Sequence, residues 1–156
     1  EDDLVALIEA APAASTASAV GVPVVSAAPA LGVIAQAIAN LSDRAANPVI
    51  IMNKLSFASF KALQYAASYP VDPFEGLTVL FNDTITAISS ATAGNTYAIV
   101  GDLGVGAQAN FPNGEEITIK YDDLSLAESD LVKVVGREYV ALGLVAPNAF
   151  VKVQAV

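Results

Sequence analysis

The sequence predicts an α+β protein. Two stretches of helical periodicity flank a short continuous apolar run in the first half of the chain, and the last third is mostly β-rich runs broken by glycine. At 156 residues the chain has the common size of one domain and enough material for a real core. A single unit, with a protruding extension, is the expected organisation.

The elements follow in order. Leu4, Leu7 and Ile8 lie three and four apart behind two acids, which suit the positive end of a helix dipole, so a short helix is expected up to about Pro12. Residues 13–28 are rich in Ala, Ser, Gly, Val and Pro without a sustained period and read as a connector, strand-like at 22–25. Pro29 suits the first position of a helix, and Leu31, Ile34, Ile38 and Leu41 carry the period on towards Arg44 and Ala46. Asn47-Pro48 ends it. Val49, Ile50, Ile51 and Met52 then form a buried strand.

Ser56 is the expected cap of a second helix over 57–67, with Phe57, Phe60 and Leu63 along one side. Residues 69–76 hold Pro70, Pro73 and Gly76 and read as a turn. Strands are expected at 77–81 and 97–100, joined by a polar stretch ending at Gly94-Asn95, as the arms of a long hairpin. Residues 101–114 read as a Gly-rich loop. Ile117, Ile119 and Tyr121 alternate with polar neighbours, residues 131–146 give two long β-rich runs broken by Gly136 and Gly143, and a turn at Pro147-Asn148 precedes a final strand at 150–153.

Composition removes whole classes of function. The 54% hydrophobic fraction and mean hydropathy of +0.56 are high, but about a fifth of the chain is Ala, which adds little core volume. No run reaches the roughly 18 apolar residues of a spanning helix, so no membrane partner is expected and the apolar surplus suits subunit contacts. Sixteen acids against seven bases give a net charge of -9, which repels a phosphate backbone. With no Cys and no His, disulfides, thiolate metal sites and His-dependent triads are unavailable. The start at Glu1, without an initiator Met or a signal-peptide pattern, leads us to expect a processed or truncated product.

The candidate chemical motifs each have a plainer reading. Gly104, Gly106 and Ala109 fit a G-x-G-x-x-A string, but Asn110, Phe111, Pro112, Asn113 and Gly114 cannot continue the helix that a dinucleotide needs. Acidic pairs at Asp2/Asp3, Glu115/Glu116 and Asp122/Asp123 would point to opposite faces of a strand and read as solvated charge, with Asp122-Asp123 the best placed for a cation. Asn82-Asp83-Thr84 reads as an Asx turn rather than as a carboxylate aimed at a site. Arg137, beside Glu138, reads as a salt-bridge partner within or between subunits. We therefore expect no catalytic residue, no cofactor and no metal.

The order of elements resembles the C-terminal portion of tailed-bacteriophage major capsid proteins with the Hong Kong 97 (HK-97) type fold. The resemblance runs over about residues 29–153. It lies in the helix at 31–46, the Asn-terminated strand Val49-Ile50-Ile51-Met52-Asn53, the helix at 57–67, the segment from Gly76 to Phe81, and the strand from Tyr97 to Gly101-Asp102. It is sharpest at the end, where Arg137 in a long strand, Pro147, and Ala149-Phe150 of the final strand are the matching positions.

The resemblance implies an axial domain of mixed sheet flanked by two helices, plus long β-strands of a peripheral domain. The division expected is 1–28 as N-terminal helix and connector, 29–114 as the axial-type α+β domain, 115–148 as the peripheral-type strands, and 149–156 as a final strand returning to the axial sheet. It also implies a non-enzymatic shell subunit: a homo-oligomer in the virion, assembled in the host cytoplasm, enclosing DNA without binding it, with scaffold and portal proteins as further partners. Asp72, Phe74 and Glu75 in the turn, with Arg137 and Glu138, are the candidate subunit contacts. Family members are longer and carry an N-terminal arm, an extended hairpin loop and a long spine helix that this sequence does not show. The alternatives are an encapsulin-like compartment shell, which shares the fold, and a carboxylate-dependent hydrolase or small-molecule binding domain using Asp102, Asp122 or Asp123.

Overall fold

The computed structural model describes residues 2–14, 21–67, 72–111, 118–122, 133–137 and 139–156. In chain order the elements are α1 (Asp2–Ala10), β1 (Val24–Ser26), α2 (Val33–Ala39), β2 (Val49–Met52), α3 (Lys54–Ala66), β3 (Thr78–Phe81), β4 (Thr96–Gly101), α4 (Leu103–Gly106), β5 (Ala107–Asn110), β6 (Thr118–Asp122), β7 (Lys133–Arg137), β8 (Ala141–Leu144) and β9 (Phe150–Gln154). The chain divides into two compact units, Glu1–Gln108 with Gly143–Val156, and Ala109–Leu142.

The first unit is built on a five-stranded mixed sheet of order β1-β9-β4-β2-β3. β2 runs parallel to β3 and antiparallel to β4, β4 is antiparallel to β9, and β9 is parallel to β1. Register and period two then sort the side chains by face. Ile50 pairs with Val100 and Val100 with Val151, while Met52 pairs with Ala98 and Ala98 with Val153. These six residues share one core with Val33, Ile34 and Ala37 of α2 and with Phe60 of α3.

The alternate residues Ile51, Ile99 and Phe150 face the other way, into a second core closed by Val5 and Ile8 of α1, Val22 and Ile85. Both faces of β4 are therefore covered, and all six of its residues are buried. That explains a continuous apolar run where a one-sided sheet would alternate. Each Ile, Val or Phe buried in these cores contributes about 1.5–3 kcal/mol.

Several local expectations are corrected. The second helix is shorter than the 31–46 period suggests and opens at Val33 rather than at Pro29. Its end tightens: the N–H groups of Asn40 and Leu41 donate to carbonyls only three residues back, and Asn40 Nδ2 donates to the Gln36 carbonyl at 2.8 Å. Asn competes for backbone groups in this way, which favours helix ends. Leu41 still packs against the first core from beyond the helix.

The cap of α3 is Asn53, not Ser56: Asn53 Oδ1 accepts from the Leu55 N–H at 3.0 Å. Ser56 lies buried inside the helix, where its Oγ accepts from the Ile88 N–H at 2.9 Å. The strands at 78–81 and 96–101 are not a hairpin, because β2 lies between them. Residues 103–110 are not a loop either; a single helical turn leads directly into β5. β5 pairs with β8 in a two-stranded ribbon.

The second unit holds another antiparallel two-stranded ribbon, β6 with β7. Its register places Thr118 opposite Arg137, Ile119 opposite Gly136, Lys120 opposite Val135, Tyr121 opposite Val134 and Asp122 opposite Lys133.

Candidate functional site

The turn after α3 is fastened from two sides. Phe74 is buried, with its ring stacked on Phe57 at 5.1 Å between centroids and edge-on to Phe60 at 5.8 Å. Asp72 Oδ1 accepts from the Phe74 N–H and from Lys61 Nζ, each at 3.1 Å. The Phe74 amide first, and Lys61 second, hold the Asp72 carboxyl below its ordinary pKa. Asp72 is exposed and Lys61 half-buried, so their pairing contributes less than about 1 kcal/mol. Lys61 Nζ also sits 5.6 Å from the Phe57 ring and 5.5 Å from the Phe74 ring.

The five candidate contact residues thus occupy different places. Phe74 anchors the turn from inside, while Asp72 and Glu75 are exposed on it. Arg137 is exposed at the end of β7 in the second unit, and Glu138 lies outside the described residues.

Asp102 holds a corner rather than a reaction. It caps α4, accepting from the Gly104 N–H at 2.9 Å through one oxygen and from the Asn47 N–H at 3.0 Å through the other. The Asn47 amide is the main cause that lowers its pKa, outweighing burial. The glycines of the G-x-G-x-x-A string serve packing. A Cβ on Gly106 would meet the Phe150 ring, with Cζ at 2.7 Å, so the ring lies against the α4 backbone.

Of the other acids proposed for hydrolysis or cations, Asp122 sits at the end of β6, and Asp123, Glu115 and Glu116 fall outside the described residues. Among the described residues no group of three or more Asp or Glu is placed to hold a metal ion, and no helix is long and apolar enough to cross a membrane. A groove of about 570 Å³ beside the edge strand β3 is lined by Lys54, Asp83 and the 79–82 segment, with Lys54 Nζ 5.8 Å from the Phe81 ring. One cation and one carboxylate there do not form the paired acid and base of a hydrolase.

Two polar anchors had no signal in the sequence. Asn82 forms the expected Asx turn, accepting from the Thr84 N–H at 2.9 Å, but its Nδ2 also donates to Asp2 Oδ1 at 2.8 Å and so ties the start of α1 to the end of β3. Lys152 is buried in β9, and its Nζ donates to the carbonyls of Ala11 at 2.7 Å and Glu9 at 3.2 Å. Burial pushes the Lys152 pKa down, offset in part by Glu9, and burial raises that of Glu9.

The architecture has known counterparts. The chain is similar to the capsid of the native GTA particle, with TM-score 0.69 and 14% identity over 96% of this chain and 60% of that one. It is equally similar to the capsid of the empty GTA particle, with TM-score 0.70 and 15% identity over 96% and 56%. The capsid of the cyanophage P-SCSP1u matches with TM-score 0.59 and 9% identity over 97% and 59%. At these identities the likeness concerns the fold, which is α+β of the HK-97 capsid type, and the chain spans between 56% and 60% of the length of these capsid chains. No curated protein matches the chain. The model of the phage capsid family, however, matches residues 6–155, nearly the whole of what is folded around the two cores, and the chain belongs to that family.

Proposed function

We propose that this chain is a structural subunit, or the larger part of one, of an icosahedral phage or prophage capsid that self-assembles around DNA. The observation that carries the proposal is the likeness of nearly the whole chain, both units included, to capsid chains. The surface agrees with a role in tiling. Leu55, Tyr65, Tyr121, Tyr139 and Val145 are all more than half exposed on a chain whose two internal cores are already closed, and apolar exposure of that kind suits repeated subunit contacts.

The turn bearing Asp72 and Glu75 supplies one contact and Arg137 with Glu138 another, as rim charges around apolar patches. Phe74 holds the first of these turns in shape. The division into an axial-type domain at 29–114 with a returning strand at 149–156, and a peripheral-type region at 115–148, rests on the same family reading. DNA is enclosed rather than bound, since the net charge of -9 opposes phosphate. Assembly takes place in the host cytoplasm, with scaffold and portal proteins as further partners, and the subunit performs no catalysis.

The experiment is assembly of the purified full-length protein, followed by light scattering against concentration and negative-stain imaging. Closed shells or capsomers support the reading; a monomer at every concentration contradicts it.

A further inference from the structure

A two-stranded ribbon with nothing on either side is marginal in water. The β6–β7 ribbon buries little on either face among its described side chains: Ile119, Lys120, Tyr121, Val134, Gly136 and Arg137 are exposed and Val135 is half-buried. The register separates two different faces. Directly opposed residues share a side and neighbours along a strand alternate, so Ile119, Tyr121, Val134 and Gly136 lie on one face while Lys120, Val135 and Arg137 lie on the other. Among the described residues the first face carries no charge, and its large side chains are 54%, 72% and 58% exposed at Ile119, Tyr121 and Val134.

That face has relief as well as polarity. Tyr121 and Val134 stand opposite each other as a raised pair, and one step along the ribbon Ile119 stands opposite Gly136, over which there is open space with no atom within 4 Å of a Cβ position. A knob beside a notch is the shape of a self-complementary surface: turned by a half rotation, a second ribbon offers its Gly136 notch to Tyr121 and its own Tyr121 to the first notch.

Charge points to the same partner. Copies of a chain with net charge -9 repel one another over most of their surface. A face without charge among its described residues, backed by Lys120 and Arg137, is where two copies approach at least cost.

We infer that the Ile119/Tyr121/Val134/Gly136 face of the ribbon packs against the same face of a second copy, with Tyr121 of each seated over Gly136 of the other. The inference deepens the capsid reading and rests on it for the identity of the partner. Its size sets its strength. Five register pairs make a face only about 17 Å long, well short of the roughly 800 Å² per partner of a stable complex. The contact therefore adds to others repeated by symmetry and does not hold a dimer by itself.

Gly136→Val is the decisive variant. The added side chain meets open space within the chain and favours a strand, so the fold keeps its stability while the notch is filled. We expect wild-type protein to form shells and Gly136→Val to lose at least tenfold in shell yield with an unchanged melting temperature. Because these residues include no Cys, the contact is also read by mixing Tyr121→Cys protein with Gly136→Cys protein under oxidation and identifying the mixed disulfide by peptide mass. Loss of shells together with the mixed disulfide establishes the contact. Wild-type yield from Gly136→Val without the disulfide overturns the ribbon contact and leaves the capsid reading intact. The mixed disulfide between the two Cys variants, where the wild-type protein forms no shells, keeps the contact and overturns the capsid reading; absence of both shells and disulfide overturns both.

Discussion

Lys152 Nζ lies 2.7 Å from the Ala11 carbonyl oxygen, so a lysine on an interior strand closes the C-terminal end of the first helix. The last carbonyls of a helix lack intrahelical partners, and a buried ammonium satisfies two of them here, at Glu9 and Ala11. Lys152→Met keeps the packing volume but leaves both carbonyls short of a donor. We expect a loss of about 1.5–3 kcal/mol in denaturant unfolding, with faster amide exchange over α1 than over β4.

Asp102 joins the loop before β2 to the turn α4 through the amides of Asn47 and Gly104. Asn at this position can accept through only one oxygen, so Asp102→Asn should cost about 1–2 kcal/mol at neutral pH. The sign of the pH dependence follows from a folded-state pKa held below the ordinary value of 3.8. The carboxylate's contribution is fully present above that value and is lost as the pH falls through the folded one. The stability gap between wild type and Asp102→Asn should therefore close on acidification below 3.8, measured by urea melts across that range.

Gly101 and Gly106 both lie against Phe150, but with different neighbours. The three atoms nearest a Cβ on Gly106 all belong to the Phe150 ring, whereas a Cβ on Gly101 also meets the Ala149 carbonyl at 2.6 Å and the Phe150 Cα at 3.0 Å. Gly106→Ala should cost about 1–3 kcal/mol, and Phe150→Leu in the same chain should recover part of that. Gly101→Ala should show no such recovery, because backbone cannot move aside. A double-mutant cycle on thermal stability separates the two.

Asp72 is expected to matter more between subunits than within one. Its carboxylate is exposed in the ion pair with Lys61, and Asn retains an oxygen for the Phe74 amide. Asp72→Asn should change stability by less than about 1 kcal/mol while lowering the yield of assembled particles, read by sedimentation. Phe74→Ala should instead cost about 3–5 kcal/mol by emptying the aromatic cluster around Phe57 and Phe60.

The parts of this fold that were legible in the sequence are those whose burial is dense and local. Val49 to Met52, the helix holding Phe57 and Phe60, the strand around Tyr97 to Val100 and the final strand at Phe150 all declare themselves by runs of large apolar side chains. Pairing was not legible. The supposed hairpin from 77–81 to 97–100 failed because β2 inserts between its arms and β9 arrives from the far end of the chain to flank β4, and no local pattern encodes such long-range neighbours.

Periodicity also overstated α2. Leu41 continues the apolar spacing and still reaches the core, but Asn40 takes the Gln36 carbonyl and ends the helix. Of the candidate contacts, Phe74 carried no sign that it would turn inward while Asp72 and Glu75 stayed outside. Lys152, in the run Val151-Lys152-Val153, gives no sign of its burial, which the presence of α1 on the second face of the sheet explains.

The central claim is that this chain exists to tile a shell. Its most direct test is the mass of the purified full-length protein by light scattering over a range of concentrations, with negative-stain images of any large species. The account predicts rings, sheets or closed shells whose fraction rises with concentration; a monomer whose mass is unchanged across the whole range would contradict it.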